Sequence, residues 1–489
     1  MSSAGTQNRY HPPARLTVQE LVSATQGRLL RDPSDSDISA RWTLCTDTRE
    51  LTDGALFVAL RGEVHDGHRF VSQALRSGRI GALVDEQSIE EGLDLPDDVG
   101  GPVIVVPDTL VGFGDASRAV LQRAGPMVAA VTGSVGKTTT RSMLANIMRQ
   151  RSPGLESEGN FNNRIGVPLT ILRLDPADNW AVLEMGMSEP GEILELARIA
   201  EPQVRVITEV TAAHLEFFEG VEQIADAKGE LFEAALPDDT LIYPADNPLS
   251  ERFPTPKGVR LLPFSMDATS DAPARLLRHT DRGAKGSEAT LLLPQGSVDV
   301  LVPLPGRHQV HNALAAAAAA SVMGASLTDI AQGLSSVRVP GRRMKISEES
   351  GVVVLDDAYN ANPASVEAAL RTLASFPTPS VEGRRVAAIG DMLELGPTGP
   401  ELHRAVGRLA MKLGIDLLVC TGALMAYAAD VTGPEESTTR TVTAVDSSTA
   451  GQLLRGWLRP GDVLLLKGSR GMRMEGVLDA LDPQEETGR

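Results

Sequence analysis

The chain has 489 residues, 42% hydrophobic and 22% charged, an ordinary globular balance that suggests roughly three domains at about 100–200 residues each. Its formal net charge of −18 opposes binding to nucleic acid and anionic membranes, so an anionic ligand must meet a locally positive pocket. The two cysteines, Cys45 and Cys420, lie far apart with no metal-ligand spacing, which fits a reducing cytoplasm.

Residues 1–13 are polar and lack the apolar centre of a secretory signal. Residues 16–23 are predicted as a helix, 56–60, 80–84 and 103–106 as strands, and 70–77 as a helix. The Asp-, Gly- and Pro-rich stretch 94–102 reads as a loop. These elements predict a small N-terminal α/β domain over residues 1–125.

A second region, 126–338, opens with an apolar strand at 128–131 that runs into a glycine-rich turn. Helix 139–150, strand 181–184, helix 192–199, strand 204–208 and helix 221–231 follow, a rhythm that predicts a doubly wound parallel sheet. From about residue 258 to 303 the pattern becomes strand-rich, with a hairpin turn at Pro294, Gln295 and Gly296, before helix 311–323. The apolar run 313–320 is too short to span a bilayer. In the third region, 339–489, apolar runs at 352–355, 386–389, 417–420 and 463–466 alternate with helical stretches and predict a Rossmann-like domain. Ligands gather at the carboxyl ends of such strands, where Asp356, Asp357, Asp391, Thr421, Lys467 and Ser469 fall.

Between the strand at 128–131 and the helix at 139–150 lies Thr132, Gly133, Ser134, Val135, Gly136, Lys137, Thr138, Thr139. The glycines let backbone N–H groups curl toward phosphate oxygens, and the helix N-terminus adds positive potential. Lys137 has the reach for the β- and γ-phosphates, and the Thr138 hydroxyl suits Mg²⁺. Val131 occupies the position of the first glycine of the usual phosphate loop, so this loop is a shortened form. Glu184 ends one strand, His214 follows another, and Lys228 lies on a helix. Successive strand ends converge on a phosphate loop in such sheets, so Glu184 and His214 are candidate metal ligands. Read singly, each has an ordinary alternative: a strand-end carboxylate, a packing histidine, a solvated lysine.

From about residue 40 to 478 the chain resembles the Mur ligases. The resemblance rests on the phosphate loop, on Asn-Phe-Asn-Asn-Arg-Ile-Gly-Val-Pro-Leu at 160–169, and on Glu-Met-Gly-Met at 184–187. It continues through His-Leu-Glu at 214–216, Ala-Lys-Gly-Glu at 227–230, Pro-Gly-Arg-His at 305–308 and His-Asn-Ala-Leu at 311–314. Asp-Asp-Ala-Tyr-Asn-Ala-Asn-Pro at 356–363, Ile-Gly-Asp-Met-Leu-Glu-Leu-Gly at 389–396 and Leu-Lys-Gly-Ser-Arg at 466–470 complete it.

The resemblance implies a fold of three domains: an N-terminal domain for a UDP-linked substrate, a central ATP-binding domain, and a C-terminal Rossmann-like domain. It implies ATP and Mg²⁺ as cofactors. Gly133 to Thr139, Asn312, Asp357 and Arg343 would hold ATP, with Arg342 equally placed for the phosphates. Lys137, Glu184, His214 and Lys228 would be catalytic, Mg²⁺ would lie on Thr138, Glu184 and His214, and Lys228 would be carbamylated. Asp47, Thr48, Arg49, Asp66 and His68 would grip the uridine nucleotide, although Asp66-Gly-His68 also reads as a plain turn. Asn162, Asn163, Tyr359, Asn360, Asn362, Lys467, Ser469 and Arg470 would bind substrate. One departure is the run Thr208, Glu209, Val210, Thr211, where the family often carries Thr-Asn-Val/Ile-Gly. The glutamate puts a carboxylate in place of a neutral amide near the expected metal.

The expected activity is ATP-dependent addition of D-alanyl-D-alanine to a UDP-N-acetylmuramoyl tripeptide through an acyl phosphate, by a cytoplasmic monomer with small-molecule partners only. Alternatives are another Mur-type ligase, including the third-residue-adding enzyme or one recruited to secondary metabolism, and a phosphate-loop ATPase that is not a ligase. The third-residue enzyme often carries Asp-Asn-Pro-Arg in its last domain, a motif absent between residues 342 and 489; Asp246-Asn-Pro-Leu249 is a partial match in another region.

Overall fold

The computed structural model describes residues 15–30, 40–62, 65–96, 101–212, 216, 218–431 and 439–481. The chain divides into two compact units, one of Met1–Ala130, Ser152–Met187 and Glu192–Gln203, the other of Val131–Arg151, Ser188–Gly191 and Val204–Arg489. Three sheets are present among the described residues, as the three-domain α/β expectation requires.

In the first unit, strands β1 (Leu16–Thr17), β2 (Arg28–Leu29), β3 (Arg41–Cys45), β4 (Ala55–Val58), β5 (Gly81–Asp85) and β6 (Val103–Val106) form one sheet in the order β1-β3-β4-β5-β6-β2. β3 to β6 are parallel, and the two-residue edge strands β1 and β2 are antiparallel. Every residue of β4, β5 and β6 is buried, as expected of parallel strands covered on both faces. Helix Val18–Thr25 opens with a capping box in which the Thr17 and Glu20 side chains satisfy each other's backbone N–H groups. Helix Thr109–Ala124 is capped by Asp108 and stopped by Gly125 at φ 64°. Its interior glycines hid it from the sequence pattern; at Gly114 the helix packs closely on Ile199, whose Cδ1 would lie 2.8 Å from a Cβ there. β7 (Met127–Thr132) begins in this unit, which also holds β8 (Leu155–Glu156) and β9 (Trp180–Glu184), a parallel pair.

In the second unit, β10 (Val204–Ile207), β11 (Thr240–Pro244), β12 (Arg260–Ser265) and β13 (Ala274–Asp281) run parallel. β14 (Ser287–Leu293) and β15 (Gly296–Val302) continue the sheet as an antiparallel hairpin turned where the proline-glycine signal predicted. The third sheet has the order β16-β17-β21-β18-β19-β20, from β16 (Lys345–Glu349), β17 (Val352–Asp357), β18 (Arg385–Gly390), β19 (Leu417–Thr421), β20 (Arg440–Ala444) and β21 (Val463–Lys467). All its pairs are parallel except β16 with β17. The edge strands β16 and β20 were not predicted, because their sequences are mostly polar and half-exposed.

A buried ion pair ties β10 to the segment before β11. Arg205 is 1% exposed; its Nη2 donates to Asp239 Oδ2 at 3.0 Å and its Nη1 to the Leu231 carbonyl at 2.8 Å. The same Asp239 oxygen accepts the Leu236 N–H at 2.8 Å. Removing one partner strands a buried charge, which costs roughly 3–5 kcal/mol. Asp239→Ala is therefore expected to lower the urea midpoint strongly, and Arg205→Met combined with Asp239→Ala less than Asp239→Ala alone. Equal losses in the two variants would show that the pair is not the source.

Candidate functional site

The phosphate loop lies in the second unit, in a backbone conformation that two glycines permit. Gly133 has φ 150°, and a Cβ on it would fall 2.0 Å from Thr208 Oγ1; Gly136 has φ 84°, and a Cβ on it would fall 2.2 Å from Asn312 Oδ1. Gly136 is also the N-cap of helix Lys137–Met148, so that helix starts two residues before its predicted onset. A glycine cap offers no side-chain oxygen to the first-turn N–H groups, and the helix N-terminus keeps its affinity for an anion. The loop is braced from behind: Thr208 Oγ1 donates to the Val135 carbonyl at 2.5 Å, the Ser134 N–H donates to the Glu209 carbonyl at 2.7 Å, and Ser134 Oγ donates to the Thr211 carbonyl at 2.9 Å. Thr208 was not among the predicted site residues; its place at the end of a strand beside the loop is the signal that would have found it.

Lys137 Nζ reaches back over the loop to the Gly133 carbonyl at 2.7 Å. Thr138 and Thr139 are buried, and Thr138 Oγ1 accepts from Arg343 Nη2 at 3.1 Å. Lys228, on helix Val221–Glu233, is only 2% exposed. Burial pushes its ammonium well below the ordinary lysine range, and the charge of Lys137 adds to the shift. Both effects make the ammonium less favourable than on an exposed lysine.

Helix Arg307–Val322 begins four residues before its predicted start, because Gly306 at φ 100° forms its N-cap. The earlier start places His308, Gln309 and Asn312 together on the first turns. Gln309 Nε2 lies 2.9 Å from His308 Nε2, and Asn312 Nδ2 donates to Gln309 Oε1 at 3.3 Å. This chain orients the buried Asn312 amide, and Gln309 is a member the sequence reading missed. In the third sheet, β17 and β21 pair Asp357 with Lys467 in register, and Lys467 Nζ meets Asp357 Oδ2 at 2.5 Å. Lys467 also donates to the Asn360 carbonyl at 3.0 Å. Its charge is thus turned to Asp357, the expected ribose ligand. Asn362 caps helix Pro363–Ser375 and has its Nδ2 3.5 Å from the Ser134 carbonyl. Ser469 Oγ accepts the Leu393 N–H at 2.9 Å. Arg470 is exposed and pairs with Glu475 at 2.9 Å. The Glu209 carboxylate, singled out as a departure, is engaged by its own neighbour's N–H, from Val210 at 3.0 Å, and by Asn247, with His311 Nε2 at 3.5 Å.

In the first unit, Glu184 closes β9 and is 3% exposed; its Oε1 accepts from Asn162 Nδ2 at 3.0 Å, and the Asn162 carbonyl accepts the Gly186 N–H at 2.7 Å. Asn163 uses its Oδ1 to receive the Gly166 N–H at 2.8 Å, at the start of helix Gly166–Ile171. Asp47 caps the short turn Thr48–Glu50. Hydrogen bonds from Arg49 hold its carboxyl down to about 2, and the Arg49 side chain is exposed. Asp66 and His68 form a network: His68 Nδ1 lies 2.7 Å from Asp66 Oδ1, and its Nε2 accepts the Asp85 N–H at 3.2 Å. The backbone donor at Nε2 places the ring proton on Nδ1, facing Asp66. Arg61 joins Asp66 at 2.9 Å to Asp85 at 3.3 Å. His214 lies outside the described residues. Among the described residues no three His, Cys, Asp or Glu side chains gather as a metal site. None of the described helices is long and apolar enough to cross a membrane.

Two outcomes follow from this geometry. Gly136→Ala places a methyl against Asn312 and strains the backbone, so ADP binding followed by calorimetry is expected to weaken by more than about tenfold; unchanged affinity would refute the close approach. Burial lowers the His308 pKa from 6.5 to about 4. Between those values the unfolded chain takes up a proton that the folded chain does not, so stability falls as pH drops through that window. His308→Gln is expected to flatten that pH slope in urea melts; an identical slope would assign the loss to other groups.

Comparison with known proteins identifies the family. Residues 131–320 match the Mur ligase middle domain, and residues 342–470 match the Mur ligase glutamate ligase domain. The UDP-N-acetylmuramoyl-tripeptide–D-alanyl-D-alanine ligase of Escherichia coli is 38% identical over 95% of this chain and 98% of its own length. The Bacillus subtilis enzyme of the same name is 33% identical over the same shares. A crystal structure of MurF from Acinetobacter baumannii superposes with a TM-score of 0.84 at 30% identity, covering 96% of this chain and 99% of its own. MurF ligase from Thermotoga maritima, solved in complex with ADP, gives a TM-score of 0.76 at 27% identity, covering 90% and 97%. The chain belongs to the Mur ligase family.

Proposed function

We propose that this protein joins D-alanyl-D-alanine to a UDP-N-acetylmuramoyl tripeptide, with cleavage of ATP to ADP and phosphate, and so makes the pentapeptide precursor of peptidoglycan in the cytoplasm, acting as a monomer of three domains bounded near residues 125 and 338. The observation that carries the reading is the phosphate loop, with Lys137 across its mouth and a buried Lys228, whose ammonium is disfavoured, in its neighbourhood. The names of the E. coli and B. subtilis relatives supply the substrates.

The tripeptide carboxylate attacks the γ-phosphorus of ATP and forms an acyl phosphate; the dipeptide amine then attacks the acyl carbon, and phosphate leaves. The first step brings two anions together. Loop N–H groups and Lys137 offset that repulsion and the charge that builds on the transferring phosphoryl group. Arg343, hydrogen-bonded to Thr138, adds a second positive group at the loop. Asn312, oriented through Gln309 and His308, holds the adenine, and Asp357, fixed by Lys467, holds the ribose. Thr138 offers a hydroxyl oxygen of the type Mg²⁺ prefers, as on the family's pattern, and the ion would supply neutralisation of phosphate charge there. A buried lysine whose ammonium is disfavoured presents its amine lone pair more readily to carbon dioxide. Addition of the Lys228 amine to carbon dioxide, with release of a proton to solvent, would give a carbamate anion suited to support the metal, where an ammonium would repel it.

Lys137→Ala is expected to abolish dipeptide-dependent phosphate release while its circular dichroism and melting curve stay native. Normal release by that variant would remove Lys137 from the chemistry. Wild-type activity in carbon-dioxide-depleted buffer is expected to fall and to return with bicarbonate; insensitivity to bicarbonate would refute the carbamate at Lys228.

A further inference from the structure

The segment 340–344, which leads into the third sheet, is pinned at both flanks of Arg343. On one side the Arg342 carbonyl accepts the Tyr359 N–H at 3.1 Å, and Arg342 Nη1 donates to Asp356 Oδ2 at 2.6 Å. On the other, the Met344 N–H donates to Asp357 Oδ1 at 3.1 Å, in a left-handed backbone with φ 55°, and Met344 is 1% exposed. Asp357 is in turn held by Lys467 through its other oxygen. The backbone on either side of Arg343 is therefore fixed to the carboxyl end of β17, and only the side chain remains to be aimed.

Tyr359 stands where it can aim it. The Arg343 guanidinium carbon lies 3.7 Å from the Tyr359 ring centroid, stacked on its face. From there Nη2 donates to Thr138 Oγ1 at 3.1 Å and Nη1 to the Pro340 carbonyl at 2.8 Å. Gly341, at φ 79°, leaves room for the stack: a Cβ there would come 3.0 Å from Arg343 Nη1 and 3.6 Å from Tyr359 Cδ2. A flexible arginine stacked on a ring and hydrogen-bonded at both terminal nitrogens loses its freedom before any ligand arrives, and this is how preorganised charge acts in catalysis.

We propose that Tyr359 is a positioning residue that aims Arg343 at the phosphate loop, not a contact to the tripeptide or the dipeptide. This rests on the ligase reading above, because the phosphoryl group of ATP is what Arg343 would meet beside Thr138. One face of the ring is occupied by the guanidinium.

The test uses the full-length protein with Tyr359→Leu, Tyr359→Phe, Arg343→Lys, Arg343→Ala and the double variant Tyr359→Leu/Arg343→Ala, each checked for a native melting curve. Phosphate release is measured with ATP and dipeptide varied in turn. Tyr359→Leu is expected to lower kcat/KM for ATP by about five- to thirtyfold, with the KM for dipeptide unchanged. Tyr359→Phe, which keeps the ring, is expected to stay within about twofold, and Arg343→Lys, which loses the planar stack, to fall as far as Tyr359→Leu. In the Arg343→Ala background Tyr359→Leu is expected to add nothing, since both act through one contact. A raised dipeptide KM with intact ATP parameters, additive losses, or damage by Tyr359→Phe equal to that by Tyr359→Leu would overturn the proposal. If Tyr359→Leu fails to fold, Arg343→Lys and Tyr359→Phe decide the question. If the wild type shows no dipeptide-dependent release, the ligase reading falls instead, and calorimetry with ADP on the same variants still reads whether Tyr359 acts through Arg343.

Discussion

The space around the phosphate loop is the constraint on which the second unit turns. Thr208 stands where a Cβ on Gly133 would be, and Asn312 stands where a Cβ on Gly136 would be. The loop can run between them only as bare backbone. That closeness lets Thr208, Glu209 and Thr211 brace the loop by hydrogen bonds, and it brings the Asn312 amide against its rim. Helix Arg307–Val322, rich in buried alanine, packs on helix Lys137–Met148 at short range because alanine leaves little side chain between the axes. The small residues of one helix thus set the position of a polar group on the other side of the loop.

Charge is handled by the same economy of space. Two lysines, Lys137 and Lys228, share one neighbourhood, and the charge of Lys137 raises the cost of a proton on the buried Lys228. Lys137 retains its place over the loop with the Gly133 carbonyl as partner. At the carboxyl end of β17, opposite charges are paired instead: Arg342 with Asp356, and Lys467 with Asp357. These pairs fix the chain on both sides of Arg343, whose own charge is directed to Thr138. The net charge of −18 therefore says little about the site, where positive groups are concentrated by the fold.

Much of the site was legible in the sequence because it is local. The shortened phosphate loop, the glycine spacing and the strand and helix on either side are contiguous in the chain between Met127 and Met148, and the family's motifs lie in order along it. Most buried strands of the three sheets were legible as apolar runs, since a strand covered on both faces must be apolar throughout, but β11 (Thr240–Pro244), short and interrupted by Tyr243 and Pro244, was not. The edge strands β16 and β20 and the helix Thr109–Ala124 were not, because polar edges and interior glycines erase the periodic signal.

Side-chain roles at the site needed the fold. Lys467 and Tyr359 fall among substrate-binding motifs in the sequence, yet the register of β17 with β21 turns Lys467 onto Asp357, and the path of residues 340–344 lays Arg343 over Tyr359. Glu209 looked like a disturbance to a metal site, and Asn247, distant in sequence, gives its carboxylate a partner. The available chemistry was already set along the linear chain, since residue type and local spacing settle which groups can bind phosphate or carry charge. Tertiary structure decided which of those groups face a ligand and which face each other, because a hydrogen bond or ion pair depends on distance between side chains that the linear order does not contain.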